Sequence, residues 1–323
     1  MLVCVLYTPA PQDAPPEELD GLVQRDAVSQ ALEKLGHRVE KVPFSADLDH
    51  NLSRLRQLAP DCVFNLVEAV AGEDYLQAAA PMLLESLGLP YTGCSFEAMA
   101  MCADKLAGKR RLRLANLPTA NWAELNRSFP RDLIGRTLIW KHRSTHASVG
   151  LDEDSLVEYH TASALEEELR KRGAAWYAED FIDGREFNIS LLQEGTGARM
   201  LPPAEIDFSH FPPGKPRLVG YRAKWVADSF EYHHTERKFD FPPEDRQLIK
   251  YLEEICLSCW QVFSLRGYAR VDFRVDSEER PWVLEINTNP CISPDAGFAA
   301  AALRAGLDYV QLIEVILRAA FSG

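Results

Sequence analysis

A chain of 323 residues that is 46% hydrophobic carries apolar surface for two or three compact units, and its formal net charge of −13 lacks the basic field a nucleic-acid partner needs. The start, Met1 to Tyr7, has no basic n-region and an apolar run too short for export, and no later stretch approaches a membrane span, so a cytoplasmic protein without a membrane partner is expected. Seven cysteines without regular spacing do not form a disulfide framework.

The first stretch alternates short β-like runs at 2–7, 38–44 and 62–67 with helical patterns at 27–35, 48–58 and 75–87. That order predicts a parallel α/β layer. Leu87-Gly-Leu-Pro-Tyr-Thr-Gly-Cys94 supplies a helix stop, a short strand and a turn, so the first domain is set at 1–98. From 103 to 117 a basic helix carries Lys105, Lys109, Arg110, Arg111 and Arg113, which read as a solvated face. Strands at 137–141 and 176–182, with a polar loop, a short strand and an acidic helix at 164–172 between them, predict a small central α+β domain at 99–183. The remaining 184–323 predict a mixed α+β domain: a strand at 186–193, an irregular passage at 202–243, a long helix, a hairpin and two terminal helices. In the long helix Cys256 and Cys259 share an apolar stripe with Leu248, Leu252, Ile255 and Phe263, which reads as core rather than as half a zinc site.

The hairpin carries the most chemistry. Gly267 to Asp276 and Pro281 to Asn287 flank a polar turn centred between Glu278 and Glu279. Side-chain alternation then puts Val271, Phe273, Val275, Trp282, Leu284 and Ile286 on a core face, and Arg270, Asp272, Glu285 and Asn287 on the other. Asp272 faces Glu285 and Arg270 faces Asn287. Two facing carboxylates repel, and an Asp, Glu and Asn oxygen cluster suits Mg²⁺ or Mn²⁺ better than a softer metal.

Lys141 ends an apolar strand and runs into a polar loop of small residues ending at Gly150, an arrangement that can hold phosphate oxygens on a cation and backbone N–H groups. An ordinary strand connection fits that loop equally well. Lys105 and Lys224, each alone, read as solvated charges. The segment from Glu179 to Ile182, followed by Asp-Gly-Arg-Glu186, can offer backbone groups to a purine and a carboxylate to a ribose, or can be a plain strand connection.

In this order, Val63-Phe-Asn-Leu-Val-Glu68, Gly72-Glu-Asp74 with Gln77, Leu87 to Gly93, Asp104-Lys105, Gly184-Arg-Glu-Phe187 and Leu284-Glu-Ile-Asn-Thr-Asn-Pro290 resemble the ATP-grasp superfamily, in particular its D-alanine:D-alanine ligase-like members, over nearly the whole chain. The resemblance implies ATP-grasp architecture and an ATP-dependent carboxylate–amine ligase that joins small amino acids through an acyl phosphate. It implies that Lys105 and Lys141 contact the α and β phosphates, that the 144–150 loop with Ser148 covers the γ-phosphate, and that Lys224 reaches the γ-phosphate from a mobile loop. Adenine would meet the Glu179–Ile182 connector and ribose Glu186. Asp272, Glu285 and Asn287 would hold two Mg²⁺ ions, and Arg270 would stabilise the tetrahedral intermediate. A homodimer formed through the N-terminal domain is also implied.

The departures cluster in the substrate pocket. The family's Glu-x-x-Val-Ser context for the first amino acid is not reproduced, with Glu17 and Glu18 the nearest acids. A loop-linking serine and tyrosine read Ala147 and Trp225, so the contacts between those loops are expected to differ. A glycine, and a serine for the second substrate's carboxylate, read Cys291 and Ala296 beside Asp295. Glu68, Cys291 and Asp295 are therefore the candidate substrate residues. Asp295 is expected to disfavour a free carboxylate and to accept an ammonium group, Cys291 to be a pocket-lining thiol rather than a nucleophile. Two other functions fit: a ligase joining an amino acid to a different amine, and an ATP-binding regulator without turnover, against which Arg270 argues.

Overall fold

The computed structural model describes residues 1–322. β1 (Leu2–Tyr7), β2 (Arg38–Pro43) and β3 (Cys62–Leu66) form a parallel sheet in the order β2-β1-β3. Parallel neighbours need crossovers, supplied by α1 (Pro16–Lys34) and α2 (Leu48–Leu58). α1 begins at Pro16 rather than at 27. In its first half Leu19, Leu22 and Val23 are not buried, and its start is marked chemically, by Pro16 at the first turn and by Glu17 and Glu18 against the helix dipole. The helix expected at 75–87 is a 3₁₀ turn, Asp74–Ala78, followed by α3 (Ala79–Ser86).

The basic helix expected at 103–117 is α5 (Lys105–Leu114), which follows α4 (Phe96–Ala103) and starts where the Asp104 carboxylate accepts from the Leu106 and Ala107 N–H groups. Arg111 and Arg113 are exposed as expected, but the other cations are not a solvated face. Lys109 is 1% exposed and pairs with Glu179 at 2.5 Å, Arg110 pairs with Glu124, and Arg113 lies 3.9 Å over the Trp122 ring.

β4 (Trp122–Glu124), β5 (Thr137–His142), β6 (Leu156–Glu158) and β7 (Trp176–Asp180) make an antiparallel sheet, β4-β7-β5-β6, covered by α6 (Ala162–Arg172) through Leu165 and Leu169. The largest sheet is also antiparallel: β8 (Arg185–Glu194), β9 (Gly197–Met200), β10 (Ala204–Ile206), β11 (Arg237–Lys238), β12 (Tyr268–Val275) and β13 (Pro281–Asn287), in the order β11-β10-β8-β12-β13 with β9 on β8. Two short helices, α7 (Tyr221–Trp225) and α8 (Phe230–His233), interrupt the passage expected to be irregular. α9 (Arg246–Val262) buries its apolar stripe, Cys256 and Cys259 included, against Phe187, Ile189, Val271 and Phe273. α10 (Gly297–Arg304) and α11 (Tyr309–Ala319) close the chain. Leu312, Ile313 and Ile316 share a core with Val3, Val5, Val28 and Leu32, so the first sheet and the last helices are packed as one. No described helix is long and apolar enough to cross a membrane.

The β12–β13 hairpin pairs Arg270 with Asn287 and Asp272 with Glu285, then slips, so that Phe273 meets Val283. Leu284 is the extra residue of a bulge. Val283, expected outside, is fully buried in the core beside Ile286, whereas Leu284, expected in the core, lines the cleft, and Trp282 gives its indole N–H to Asp276 at 3.1 Å instead of packing inward.

Candidate active site

The three sheets meet around a cleft of about 1180 Å³. On one wall the central strand β12 carries Arg270 and Asp272 opposite Asn287 and Glu285 of β13. The Arg270 fork donates Nε to Asp272 Oδ1 at 2.7 Å and Nη2 to Oδ2 at 2.8 Å. The Asn287 amide bridges both carboxylates, 2.9 Å from Asp272 and 3.3 Å from Glu285. Burial opposes ionisation of Glu285, but Lys105, His146, Lys224 and Arg270 together hold its carboxyl well below the ordinary range. An Asp, a Glu and an Asn side chain on one face of the hairpin, with the Glu285 carboxyl held toward its charged form and no sulfur among them, match the donor set of a hard divalent cation. An Asn amide carries oxygen and nitrogen at equivalent positions, so Oδ1 is available to such an ion.

The opposite wall is cationic. Lys141, at the end of β5, bonds to Glu179 at 2.6 Å, and Lys109 holds the other oxygen of the same carboxylate. Glu179 is 1% exposed; burial alone would raise its pKa, and the two lysines bring it below the usual value. Lys105, at the start of α5, donates to the Thr145 carbonyl and lies 3.9 Å from Glu285. Lys224 stands on α7, where burial and the Arg270 charge lower its pKa. Between the walls lie apolar residues suited to a purine face: Ile139, Phe181, Ile182, Ala204 and the bulged Leu284. Glu186, beside them, accepts from Arg274 at 3.0 Å.

The loop at 144–150 is closed over this space. Ala147, Ser148 and Gly150 have positive φ, a run of backbone turns that only small or polar residues take readily. His146 N–H donates to Asp74 at 2.6 Å, and Gln77 contacts the His146 ring at 3.2 Å, tying the loop to the first unit. Ser148 Oγ donates to Val219 and Trp225 Nε1 to Ala147, tying it to the α7 passage. Tyr221 of α7 reaches Glu17 of α1 at 2.9 Å.

A family model described as the D-ala D-ala ligase C-terminus matches residues 135–318. The D-alanine–D-alanine ligase of Synechococcus sp. (strain JA-3-3Ab) is 30% identical over 92% of this chain and 88% of that protein. That of Thermotoga petrophila is 30% identical over 92% and 91%. The chain belongs to the D-alanine–D-alanine ligase family. An uncharacterized protein y4sG of Sinorhizobium fredii is likewise 30% identical, over 90% of this chain and 85% of that one. The crystal structure of D-alanine–D-alanine ligase from Bacillus anthracis complexed with ATP has the same fold, with a TM-score of 0.75 at 21% identity over 99% of this chain and 97% of that chain. The protein is thus an ATP-dependent, ADP-forming ligase that makes C–N bonds on an ATP-grasp fold. Its family uses ATP and Mg²⁺ generally.

In this ligase every candidate residue read from the sequence lines the one cleft: Lys105, Lys141, Ser148, Glu179, Ile182, Glu186, Lys224, Arg270, Asp272, Glu285 and Asn287, and also Glu68, Cys291 and Asp295. The sequence reading missed four groups there. Asp20 accepts from Cys291 Sγ at 3.2 Å and Ser293 Oγ at 3.4 Å. Gln24 donates to Glu68 at 2.9 Å and accepts from the Ile292 N–H at 2.5 Å. Arg237 Nη1 donates to the Asp295 carbonyl at 3.1 Å, placing a guanidinium at an end expected to be acidic. His146 of the 144–150 loop lies among Lys105, Glu285 and Asp74, and burial chiefly lowers its pKa. Asp20 and Gln24 sit four apart on α1, one helical face, but only a correct helix start makes that legible. Burial pushes the Cys291 thiol far up, which leaves it protonated and unsuited to be a nucleophile.

Proposed function

We propose that the ligase activates the carboxylate of one small amino acid, D-alanine being the first to test, by transferring to it the γ-phosphoryl group of ATP, and that the amine of a second small molecule then displaces phosphate. The observation that carries this reading is the convergence of Lys105, Lys141, Lys224 and Arg270 on the same cleft as the facing Asp272 and Glu285.

A carboxylate cannot expel oxide, so its oxygen attacks the γ-phosphorus, the β–γ bridging bond breaks, and ADP departs with the electron pair. Lys105 and Lys141 hold the α and β phosphates, Lys224 and the backbone of the Ser148 loop the γ-phosphate. Asp272, Glu285 and Asn287 would hold two divalent ions, Mg²⁺ or Mn²⁺, which would neutralise phosphate charge. Arg270 faces the acyl carbon and stabilises the oxyanion that forms as the amine adds. The new C–N bond forms, the C–O bond to phosphate breaks, and the amine proton is released. Water must be kept from the acyl phosphate, which is the use of the contacts from the 144–150 loop to Asp74, Val219 and Trp225. Adenine against the 179–182 connector and ribose at Glu186 complete the site.

Three working units, 1–98, 99–183 and 184–323, a cytoplasmic location and a dimer through the first unit belong to the same reading. The changed residues Cys291, Ala296 and Asp295 favour an amine other than D-alanine. ADP and phosphate release, measured with D- and L-amino acids singly and in pairs, tests it. Amino-acid-dependent ADP formation is expected; its absence across the panel overturns the ligase chemistry, and efficient D-alanyl-D-alanine synthesis overturns the changed amine.

A further inference from the structure

Alternation along β12 turns Arg270, Asp272 and Arg274 to one face, and all three line the cleft. The first two belong to the acyl and cation ends of the ligase reading, and the third has no role in it. Arg274 is 3% exposed, and its donors are unevenly used. Nε donates to the Ile182 carbonyl at 2.8 Å and Nη1 to Glu186 Oε2 at 3.0 Å. Nη2, also buried, meets no acceptor among the described residues. Asp183 Oδ1 stands 3.9 Å from it, on a side chain that is mostly exposed.

The place is built rather than incidental. Gly184 lets the turn after the 179–182 connector lie on β12: a Cβ there would stand 2.0 Å from the Val275 carbonyl oxygen. A larger residue would lift the turn, and the Ile182 carbonyl with it, away from Arg274. The rings of Phe181 and Phe208 lie 5.6 and 5.8 Å from the guanidinium carbon. Glu186 is the direct neighbour of Arg274 across β8 and β12, so the fork and the carboxylate meet on the cleft side of the sheet.

Stability does not account for such a pair. A buried ion pair recovers its desolvation cost only when the remaining donors are satisfied, and apolar residues of similar volume often serve as well. Orientation is what the fork supplies. Burial favours the protonated form of Glu186, Arg274 opposes this most strongly, and Asp272 adds to the burial while Lys224 acts with Arg274. With Oε2 taken by Nη1, Oε1 is the oxygen left to a ligand in the cleft, and a carboxylate oxygen only accepts. The neighbouring hydroxyls of a sugar are donors of the right kind.

We propose that Arg274 is the positioning residue of the nucleotide end: it ties the Glu186 carboxylate to the Ile182 connector with Oε1 turned to the ribose hydroxyls, and so makes the ligase select ribonucleotides over deoxynucleotides. The assignment rests on the placement of the ribose at Glu186 in the reading above and deepens it. A carboxylate free to rotate still accepts from a hydroxyl, but it can turn to other partners when the hydroxyl is missing. A fixed one is left unpaired, which is the condition under which a polar site rejects an analogue strongly.

The test uses the full chain with Mg²⁺ and the amino-acid pair that gives most ADP, and compares ATP, 2′-deoxy-ATP and 3′-deoxy-ATP. The wild type is expected to use at least one deoxynucleotide about thirtyfold less well than ATP in kcat/KM, the size of one hydrogen bond to a charged group. Arg274→Lys keeps a cation but cannot span Ile182 and Glu186 with a fork, so its ratio is expected to fall to about threefold or less. Glu186→Gln should fall likewise, and the double variant should match the single ones, because the two residues act through one contact. Each ratio compares two nucleotides on one protein, so it does not depend on how much of a variant is folded. For a variant that turns over too slowly, competition between ADP and its deoxy analogues in binding gives the same ratio. Equal use of all three nucleotides by the wild type overturns the assignment, as does a wild-type ratio kept in Arg274→Lys or an additive double variant, and each leaves the ligase reading standing. No amino-acid-dependent ADP formation by the wild type overturns the ligase reading instead, and the sugar ratio is then read from nucleotide binding alone.

Discussion

The indole Nε1 of Trp225 donates to the carbonyl oxygen of Ala147 at 2.9 Å, joining the helix that carries Lys224 to the small-residue loop after Lys141. Ser148 Oγ on Val219, at 3.0 Å, makes a second strut between the same two segments. Neither contact uses the side chain of residue 147, so an alanine there does not open the closed arrangement. Gly220 permits the approach, since a Cβ at that position would lie 2.5 Å from the Leu151 carbonyl oxygen. Trp225→Phe removes the donor and keeps most of the ring. A net hydrogen bond is worth about 1 kcal/mol, so ligation should fall about fivefold. ATP hydrolysis without product should rise, because the acyl phosphate is less well shielded. Parallel assays of ADP and of ligated product check this, and a product-to-ADP ratio equal to that of the wild type rules out the shielding role.

Glu179 bridges two buried lysines, and this arrangement predicts a large stability effect. Lys109 and Lys141 approach its two oxygens at 2.5 and 2.6 Å, and burial pulls Lys109 down to about 8. Glu179→Gln leaves two ammonium groups facing each other with no anion. A loss of about 3–5 kcal/mol is expected, read as a lower urea midpoint without nucleotide. Lys109→Met should cost less, because Lys141 still pairs with the carboxylate. An equal loss in the two variants would mean that the pairing is not what stabilises this wall.

The hairpin was legible in part, and its limits are instructive. Alternation fixed Asp272 against Glu285 because both strands carry polar residues at the ends nearest the site. Farther along, Val283, Leu284 and Ile286 are all apolar, so the pattern does not record that a bulge buries Val283 and turns Leu284 into the cleft. A related limit hid the first half of α1, where Leu19, Leu22 and Val23 are not buried and the Pro16-Glu17-Glu18 start was the clearer signal. Arg237 was hidden for another reason. Its two-residue strand joins the sheet through β10, and its contact with Gly297 spans the whole C-terminal unit, a relation no local spacing encodes.

Cys291 touches Asp20 and lines the cleft, but its thiol is held protonated chiefly by burial and then by the charges of Asp20 and Glu68. Cys291→Ser retains a donor to Asp20 and should keep kcat within about threefold. Iodoacetamide at neutral pH should leave wild-type activity unchanged over an hour. Rapid inactivation relieved in the serine variant would point to a reactive thiolate instead.

Glu68 gives a dependence on pH. Burial, with Asp20 and Asp74 adding to it, lifts its carboxyl to about 7, and the Gln24 amide only partly offsets this. The folded state therefore holds the proton more tightly than the unfolded chain. The cost of ionising Glu68 is absent below its unfolded value near 4.5, grows as pH rises, and is complete above about 7. Glu68→Gln keeps an acceptor for Gln24 and has no such cost. Its stability relative to wild type should improve by about 2 kcal/mol between pH 5 and pH 8, allowing for partial solvent access. Urea unfolding at the two values decides it, and a constant difference would place the titration elsewhere.

Asp272 and Glu285 face each other across β12 and β13, bridged by the Asn287 amide, with Arg270, Lys105, His146 and Lys224 offsetting their charge. If their purpose is to hold cations with the nucleotide, a non-hydrolysable ATP analogue should stabilise the protein far more with Mg²⁺ than without it. At a hundredfold excess over Kd the gain is about 2.7 kcal/mol. Glu285→Gln should bind the analogue with nearly the same weak affinity in the presence and absence of Mg²⁺, and its ADP formation should drop at least a thousandfold. Asp272→Asn should do the same and, by freeing the Arg270 fork, should also change the stability of the ligand-free protein, which separates its two roles. A Mg²⁺-dependent shift of wild-type size in Glu285→Gln would remove that carboxylate from the metal site, whatever its effect on turnover.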